Sequence, residues 1–287
     1  IIYSPGGVGC TVLFKFIKDK NKSIIINDIH DSDKIKHNKT PINNITKKAI
    51  YIMNDPLLAV LSHYRRKWAD IQMEKMGNFK YKNYTKEELF NETLKQNKDI
   101  FGIENQFDNF INSNVNYQIL FVYFKNIHKN KKKICDFLNI HPKTFDDFKI
   151  KKRKSDDKDV DKNVKKIYNK LNKRFLEYDM FIKHNKIFLT YGDLKFKKSR
   201  ERIVNEANQL NYFNNIIMET EKTILDDEFQ KALKNKKFRN VFNNKRGGGY
   251  WLWKPYIIYK NLKLINDNDI LIYSDAGSTI YNNKNTY

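Results

Sequence analysis

The sequence has few residues of the kinds that hold small frameworks together. Only Cys10 and Cys135 are cysteines among 287 residues, which excludes a disulfide framework and a zinc site built from several cysteines. Only five prolines are present, and no low-complexity linker is seen. Long apolar runs are also missing, because charged residues interrupt each of them. The sequence therefore predicts no transmembrane helix.

Apolar and aromatic residues are present in the amounts that a packed protein needs. They make up 40% and 14% of the chain, which excludes wholesale disorder. A length of 287 residues fits two domains of ordinary size. No signal peptide or initiator methionine is visible, and the last residues read as a loop. We therefore expect an intracellular, cytoplasmic protein whose sequence is a fragment of a longer one.

The chain is strongly basic. Its 55 lysines and arginines exceed its 33 aspartates and glutamates, giving a formal net charge of +22. The excess is spread over the whole chain, and the heavy use of Lys, Asn and Ile is typical of A/T-rich codons. A compositional origin and the steering of anionic ligands both stay open. A basic nucleic-acid-binding protein is an alternative class, but the even spread of charge argues against nucleic acid as a partner.

Short apolar strands alternate with helical segments in the first 183 residues. The pattern predicts strands at 1–3, 23–26, 49–53 and 118–123, and helices at 12–17, 57–67, 85–112, 131–138 and 160–181. Such alternation indicates a mainly parallel α/β sheet with flanking helices.

The same alternation restarts near residue 184. It predicts strands at 186–191, 215–218 and 269–273, helices at 198–210 and 227–233, and an aromatic segment at 250–262. We therefore expect one domain over residues 1–183 and a second, incomplete α/β unit over residues 184–287.

A glycine-rich segment, Ser4–Thr11, connects the first predicted strand to the first helix. Gly6, Gly7 and Gly9 allow backbone N–H groups to approach an anion closely, and the dipole of the following helix favours negative charge there. The Thr11 hydroxyl can donate to an anionic oxygen. A Walker A loop would need a lysine before the threonine, but Cys10 is in that place, so ATP or GTP hydrolysis is not expected.

Together with Asn54-Asp55-Pro56 and Ser62, this loop resembles the P-loop-type sulfotransferases that use 3′-phosphoadenosine-5′-phosphosulfate (PAPS). Similar stretches are Ile119–Tyr123, Lys131–Leu138 and the set Arg153, Ser155, Tyr168 and Leu171. The resemblance covers about residues 1–183 and implies a P-loop NTPase-like sheet. It implies that the loop residues Gly6, Gly7, Gly9, Cys10 and Thr11 hold the 5′-phosphosulfate. Asn54 and Ser62 would then hold the 3′-phosphate.

Two residues depart from the pattern of that family. The usual loop lysine aligns with Gly6 or Gly7, and the arginine of Arg-Asp-Pro is Asn54. Arg65 and Arg66 follow Ser62 by three and four residues on the same predicted helix, so they share its face. A guanidinium group binds phosphate well, so Arg65 and Arg66 are candidates to compensate; the alternative is that both are solvated surface residues.

Sulfonate transfer also needs a base that removes the proton of the acceptor hydroxyl. The resemblance implies a histidine between the second strand and residue 54, which makes His37 the candidate catalytic residue. His30 and Asp31 are alternatives. If none of them is the base, this half is a degenerate nucleotide-binding scaffold.

The second unit contains a longer and more specific motif than the glycine-rich loop of the first unit. Arg246-Gly247-Gly248-Gly249-Tyr250-Trp251-Leu252-Trp253-Lys254-Pro255 is followed downstream by Tyr273-Ser274-Asp275-Ala276-Gly277. With Tyr191-Gly192-Asp193, this set resembles nucleotide-sugar glycosyltransferases with the GT-A type of α/β fold, which occur in polysaccharide-building and viral proteins. The resemblance implies a nucleotide-sugar donor as co-substrate.

A sugar donor carries a diphosphate, whose departure needs a divalent metal ion or other cations. Asp275 is a candidate ligand for Mn²⁺ or Mg²⁺ because it ends a predicted strand and small residues follow it. Gly277 occupies the place of the second carboxylate of an Asp-X-Asp motif. Lys254 or Arg246 can therefore supply part of the positive charge that stabilises the diphosphate.

Aromatic and acidic residues are the candidates for the rest of the donor. Tyr191 and Asp193 are expected to meet the nucleoside. Trp251 and Trp253 either stack on base or sugar, or pack in the core.

The two resemblances together predict fused transferase modules that modify one glycan or polysaccharide acceptor. One module would sulfate the acceptor and the other would extend it. The alternative is that only the glycosyltransferase module is active and the first unit is a scaffold.

Overall fold

The computed structural model describes residues 1–20, 27–43, 48–150, 156–246, 249, 251–265 and 269–281. The chain divides into two compact units, Ile1–Lys183 and His184–Tyr287, at the point where the strand–helix alternation restarts. The strand predicted at 23–26 lies outside the described residues, as do Arg153, Ser155, Gly247, Gly248 and Tyr250.

The first unit contains a four-stranded sheet. Its strands are β1 (Ile2–Tyr3), β2 (Lys48–Met53), β3 (Gln118–Tyr123) and β4 (Ile182–Lys183), in that spatial order. The first three strands are parallel, and β4 pairs antiparallel to β3. All six residues of β3 are buried, as expected for a parallel strand that is covered on both faces. The predicted mainly parallel α/β sheet is confirmed.

Seven helices of the first unit are described: α1 (Cys10–Lys20), α2 (Pro56–Arg65), α3 (Ala69–Lys75), α4 (Lys86–Gln96), α5 (Ile103–Ile111), α6 (Lys131–Leu138) and α7 (Lys162–Glu177). Helix α2 begins after Asp55, whose carboxylate accepts the N–H of Leu58 at 3.0 Å, and proline occupies its first position. The helix predicted up to residue 181 ends at Glu177.

The single helix predicted over residues 85–112 is wrong. Helix α4 ends at Gln96, and the following residue, Asn97, adopts a left-handed backbone conformation with φ of 49°. The carboxylate of Asp99 then accepts the N–H groups of Phe101, Gly102 and Glu104, and α5 begins after Gly102. These local hydrogen bonds compete with continuation of the helix.

The second unit contains a three-stranded parallel sheet. Its strands are β5 (Lys186–Tyr191), β6 (Asn215–Glu219) and β7 (Ile270–Asp275), in the spatial order β6-β5-β7. Its described helices are α8 (Lys197–Leu210), α9 (Glu221–Ile224), α10 (Asp227–Leu233), α11 (Lys236–Phe242) and α12 (Trp253–Leu262). The central strand β5 is the most buried one, and the outer strand β7 is partly exposed. This unit is also α/β, as predicted.

In the part of the chain that the structure describes, no helix has both the length and the apolar character needed to cross a bilayer.

Candidate functional site

A cavity of about 890 Å³ lies in the first unit, at the edge of the sheet where the parallel strands end. The segments that follow β1, β2 and β3 all contribute to its lining, because the carboxyl ends of parallel strands meet at one edge. Predicted site residues among the lining are Gly6, Gly7, Gly9, Cys10, Thr11, His37, Asn54, Ser62, Arg65 and Arg66. All ten residues predicted for this unit therefore border one space.

The loop before α1 is glycine-rich for a steric reason. Gly6, Gly7 and Gly9 have φ values of 75°, 64° and 96°, a region that other residues rarely adopt. A Cβ at Gly7 would lie 2.8 Å from the carbonyl oxygen of Ala59, and one at Gly9 would lie 2.6 Å from the ring of Phe124. The loop thus packs directly against α2 and the end of β3, and it leads into the N-terminus of α1.

The start of α1 offers hydrogen-bond donors to the cavity. The first N–H groups of a helix have no acceptor within the helix, and the helix dipole adds positive charge there. Cys10 and Thr11 begin α1 and line the cavity; Thr11 is exposed and Cys10 is buried. This arrangement suits a phosphate, sulfate or other small anion.

Asn54 holds the loop. Its Nδ2 donates to the carbonyl oxygen of Val8 at 3.3 Å, and its Oδ1 accepts the N–H of Asp55 at 2.9 Å. The side chain thereby ties the end of β2 to the glycine loop. Ser62, which is also buried, lies two turns further on, on α2, at the lining of the same cavity.

The lining is strongly cationic. Five cationic side chains and a single carboxylate are found among the described lining residues, namely Lys36, Arg65, Arg66, Lys75, Lys125 and Asp31. Asp31 forms an ion pair with Lys75 and accepts the N–H of Lys36 at 2.8 Å. Lys36 is only 3% exposed, and its Nζ donates to the carbonyl oxygen of Ile29 at 2.5 Å. The excess of positive charge favours an anionic ligand.

His37 is held with one ring nitrogen ready to accept a proton. Its Nδ1 lies 2.8 Å from the carbonyl oxygen of Ser4, so Nδ1 must carry the hydrogen. Burial lowers the pKa of His37 to about 4, so the ring is neutral near pH 7 and its Nε2 is unprotonated. Gln106, on α5, fixes the backbone at this point by donating to the carbonyl oxygen of Asn38 at 2.7 Å.

A second histidine lines the cavity and was not predicted. His63, on α2, is 2% exposed, and its Nε2 donates to the carbonyl oxygen of Pro5 at 3.2 Å. Burial, together with the charge of Arg66, lowers the pKa of His63 to about 3. A Cβ at Gly6 would lie 2.7 Å from the Cε1 of His63. The imidazole therefore occupies the space beside position 6 of the loop.

In the second unit, the strand ends also bring polar groups together. Tyr191, Glu219 and Asp275 are the last residues of β5, β6 and β7, and they lie at the same register position. Tyr191 stacks on Trp253 with ring centroids 4.0 Å apart, and burial with the nearby charge of Asp193 raises its pKa to about 12. Trp253 is buried and packs in the core, and its stacking contact positions the ring of Tyr191 at this edge of the sheet.

Lys254 reaches the same edge from the start of α12. Its Nζ lies 2.9 Å from Oδ1 and 3.0 Å from Oδ2 of Asp275. The hydroxyl of Tyr273 donates to Oδ1 of Asp275 at 2.6 Å. Burial opposes ionisation of Asp275, but the hydrogen bonds from Tyr273 and Lys254 outweigh it and lower the pKa of the carboxyl group.

Three other predicted residues of this unit do not join that cluster. Asp193 caps the 3₁₀ turn Leu194–Phe196, since its Oδ1 accepts the N–H groups of Lys195 and Phe196. Arg246 and Trp251 are exposed, and within the described ranges no hydrogen bond or ion pair joins either of them to Asp275 or Lys254.

Comparisons with known proteins were made at three levels. Neither the protein-family models, nor the curated proteins, nor the solved structures gave a match.

The loop that follows Asp275 is held by hydrogen bonds from helix α8. Arg202, on α8, donates to the carbonyl oxygen of Ser278 at 2.8 Å and to the hydroxyl of Thr279 at 3.1 Å. Glu206, one turn later, accepts the N–H of Ile280 at 2.9 Å. These contacts fix the backbone after the strand end and so position Asp275.

Proposed function

We propose that the unit Ile1–Lys183 binds PAPS and transfers its sulfonate group to a hydroxyl group of a glycan acceptor. The observation that carries the proposal is the convergence of a glycine loop, a helix N-terminus, a serine and two arginines on one cavity. Each of these groups is suited to a phosphate or sulfate oxygen.

The two anionic ends of PAPS would meet different parts of the lining. The N–H groups at the start of α1 and the Thr11 hydroxyl suit the 5′-phosphosulfate. Ser62, Arg65 and Arg66 suit the 3′-phosphate, because all three lie on or just after α2 at the same cavity. The role proposed for Asn54 is to hold the loop, since its side-chain amide is bonded to Val8 and Asp55.

The PAPS-dependent sulfotransferases have a lysine in this loop. In this chain we propose that Lys36, which lies outside the loop, takes its place. Lys36 lines the same cavity, and its backbone carbonyl accepts the N–H of Ser4, the residue at which the loop begins. Its buried ammonium group would stabilise the negative charge that develops on the phosphate as sulfonate leaves.

PAPS supplies an activated sulfonate, whose bond from sulfur to the bridging oxygen breaks as the acceptor oxygen attacks sulfur. The part of His37 is to take the proton of the attacking hydroxyl on Nε2, while the carbonyl of Ser4 holds Nδ1–H and fixes the ring. The negative charge of a ligand in the cavity would favour the protonated ring and raise the pKa of His37 towards 7. The imidazole would then be a stronger base.

The proposal is tested by calorimetric titration of the full chain with adenosine 3′,5′-bisphosphate, with ATP as the competing nucleotide. We expect micromolar binding of the bisphosphate and much weaker binding of ATP. Replacing either Arg65 or Arg66 alone by alanine is expected to weaken binding by about 10- to 100-fold, because a hydrogen bond to a charged group contributes roughly 1.5–3 kcal/mol. Ser62→Ala is expected to weaken it less.

The matched control is Arg239→Ala, which removes an exposed arginine from α11 in the other unit. It should leave the titration unchanged. Absence of binding at millimolar bisphosphate, or equal binding of ATP, would contradict the proposal for this unit.

A second function is favoured by a separate observation in the other unit. Tyr191, Asp275 and Lys254 meet at the carboxyl end of a parallel sheet, where α/β proteins bind nucleotides. We propose that His184–Tyr287 provides the donor-binding part of a nucleotide-sugar glycosyltransferase. The two units would then sulfate and extend the same glycan; the alternative is that this second unit alone is active.

A further inference from the structure

We infer that Lys254, and not a divalent metal ion, is the cation that meets the diphosphate of the donor in the unit His184–Tyr287. The inference rests on the glycosyltransferase function proposed for that unit. It chooses among the three candidates that the sequence leaves open, which are a metal ion on Asp275, Arg246 and Lys254.

The ammonium group of Lys254 is held in place by four contacts. It lies 2.9 and 3.0 Å from the two carboxylate oxygens of Asp275. It also lies 5.2 Å from the ring centroid of Tyr273 and 5.9 Å from that of Trp253. Aromatic faces attract cations, so both rings stabilise the charge at this point. The cation is therefore positioned before any ligand arrives.

The same ammonium group can still bind a ligand. An ammonium has three N–H donors, and two suffice for the two oxygens of Asp275. About one third of the Lys254 side chain remains exposed, at 32%. A phosphate oxygen at the carboxyl end of the sheet can accept the remaining hydrogen bond.

The surroundings of Asp275 do not fit a divalent metal ion. Both of its oxygens already accept hydrogen bonds, from Lys254 and from the hydroxyl of Tyr273. A divalent ion would have to compete with Lys254 for those oxygens. Mn²⁺ and Mg²⁺ are held by several oxygen ligands, of which one or two are usually carboxylates.

The nearest carboxylate at the same register is not placed to help. Glu219 ends β6, which is separated from β7 by β5, so two strand spacings of about 4.8 Å lie between Glu219 and Asp275. Glu219 is buried and accepts a hydrogen bond from Asn261 at 3.0 Å. Asp275 then serves to orient Lys254. The ion pair also neutralises the charge of the Asp275 carboxylate, which would otherwise repel a diphosphate.

The test is a set of calorimetric titrations of the full chain with UDP, GDP and CDP, each with Mn²⁺ and each with excess EDTA. ADP is left out because the first unit is proposed to bind an adenosine nucleotide. We expect one of the three to bind with the same Kd in both conditions. Lys254→Ala should weaken that binding by about 10- to 100-fold, and Lys254→Arg should restore most of it.

Lys263→Ala is the matched control, because Lys263 follows the same helix and pairs with Glu228 at the surface. It should leave the Kd unchanged. Circular dichroism of Lys254→Ala should match that of the unmodified chain. Binding that requires Mn²⁺, or that survives Lys254→Ala, would overturn the inference and leave the glycosyltransferase proposal intact. No binding of any of the three, with or without metal, would overturn both.

Discussion

Replacing His37 by glutamine is expected to slow sulfonate transfer by about 10²–10⁴-fold, the usual contribution of a positioned general base. Glutamine can keep a hydrogen bond to the Ser4 carbonyl but cannot accept a proton at pH 7. Binding of adenosine 3′,5′-bisphosphate should change little, because that ligand lacks the acceptor hydroxyl whose proton His37 is proposed to take. The measurement is the release of adenosine 3′,5′-bisphosphate from PAPS in the presence of a panel of oligosaccharides.

The controls for His37 come from the other candidate bases. His30→Gln and Asp31→Asn should each reduce the rate less, since Asp31 is already paired with Lys75 and His30 is exposed. The rate of the unmodified chain should fall as the pH drops below the pKa of His37 in the complex. A rate that is unchanged in His37→Gln, or is abolished by His30→Gln instead, would assign the base elsewhere.

Acidification is expected to destabilise the folded chain through His63. Burial lowers the pKa of His63 from 6.5 to about 3, so between those values the unfolded chain binds a proton that the folded chain does not. The free energy of unfolding attributable to this group is fully present above pH 6.5. It is lost as the pH falls towards 3, by up to about 1.4 kcal/mol per pH unit. His37, with a pKa lowered to about 4, acts in the same direction.

The contribution of His63 is isolated by comparison with His63→Gln. Urea unfolding of both proteins, followed by circular dichroism at pH 7 and pH 5, gives two differences in the free energy of unfolding. Glutamine does not titrate, so the variant should lose less stability on acidification than the unmodified chain. If both proteins lose the same amount between pH 7 and pH 5, His63 does not titrate as its burial requires.

Strand–helix alternation was sufficient to predict two α/β units, because short continuous apolar runs indicate buried parallel strands and apolar residues at a spacing of 3.6 indicate helices. The ends of the helices were harder to predict from the sequence. The break between α4 and α5 depends on the left-handed conformation of Asn97 and on three hydrogen bonds to Asp99. Both residues are compatible with a helix on propensity alone. The spacing of apolar residues therefore does not predict that the helix ends there.

The loop residues of the first unit could be predicted to meet because parallel strands end at one edge of their sheet. His63 and Gln106 were missed for a common reason. Both are buried polar residues within helices, and in a sequence they read as interruptions of an apolar face. Gln72, on α3, is a further lining residue of this kind. The signal that could have found His63 is the glycine at position 6, which leaves the space that the imidazole fills.

In the second unit, Lys254 and Asp275 were both predicted as candidates, but their pairing was not. Twenty-one positions separate them, and the register of β7 against β5 decides which side chains reach the start of α12. Asp193 was predicted to meet a nucleoside because it follows a strand. Its carboxylate accepts the N–H groups of Lys195 and Phe196 and so caps the next turn, and its contact with a nucleoside stays a prediction.

The claim that the glycine-loop cavity is a nucleotide site is tested most directly by hydrogen–deuterium exchange of the full chain with and without adenosine 3′,5′-bisphosphate. Bound nucleotide should slow exchange in residues 6–13 and 56–66, which carry the loop, the start of α1 and α2. Exchange in residues 186–219 should be unchanged, and ATP should give less protection. Protection confined to the second unit, or none at saturating bisphosphate, would contradict the assignment.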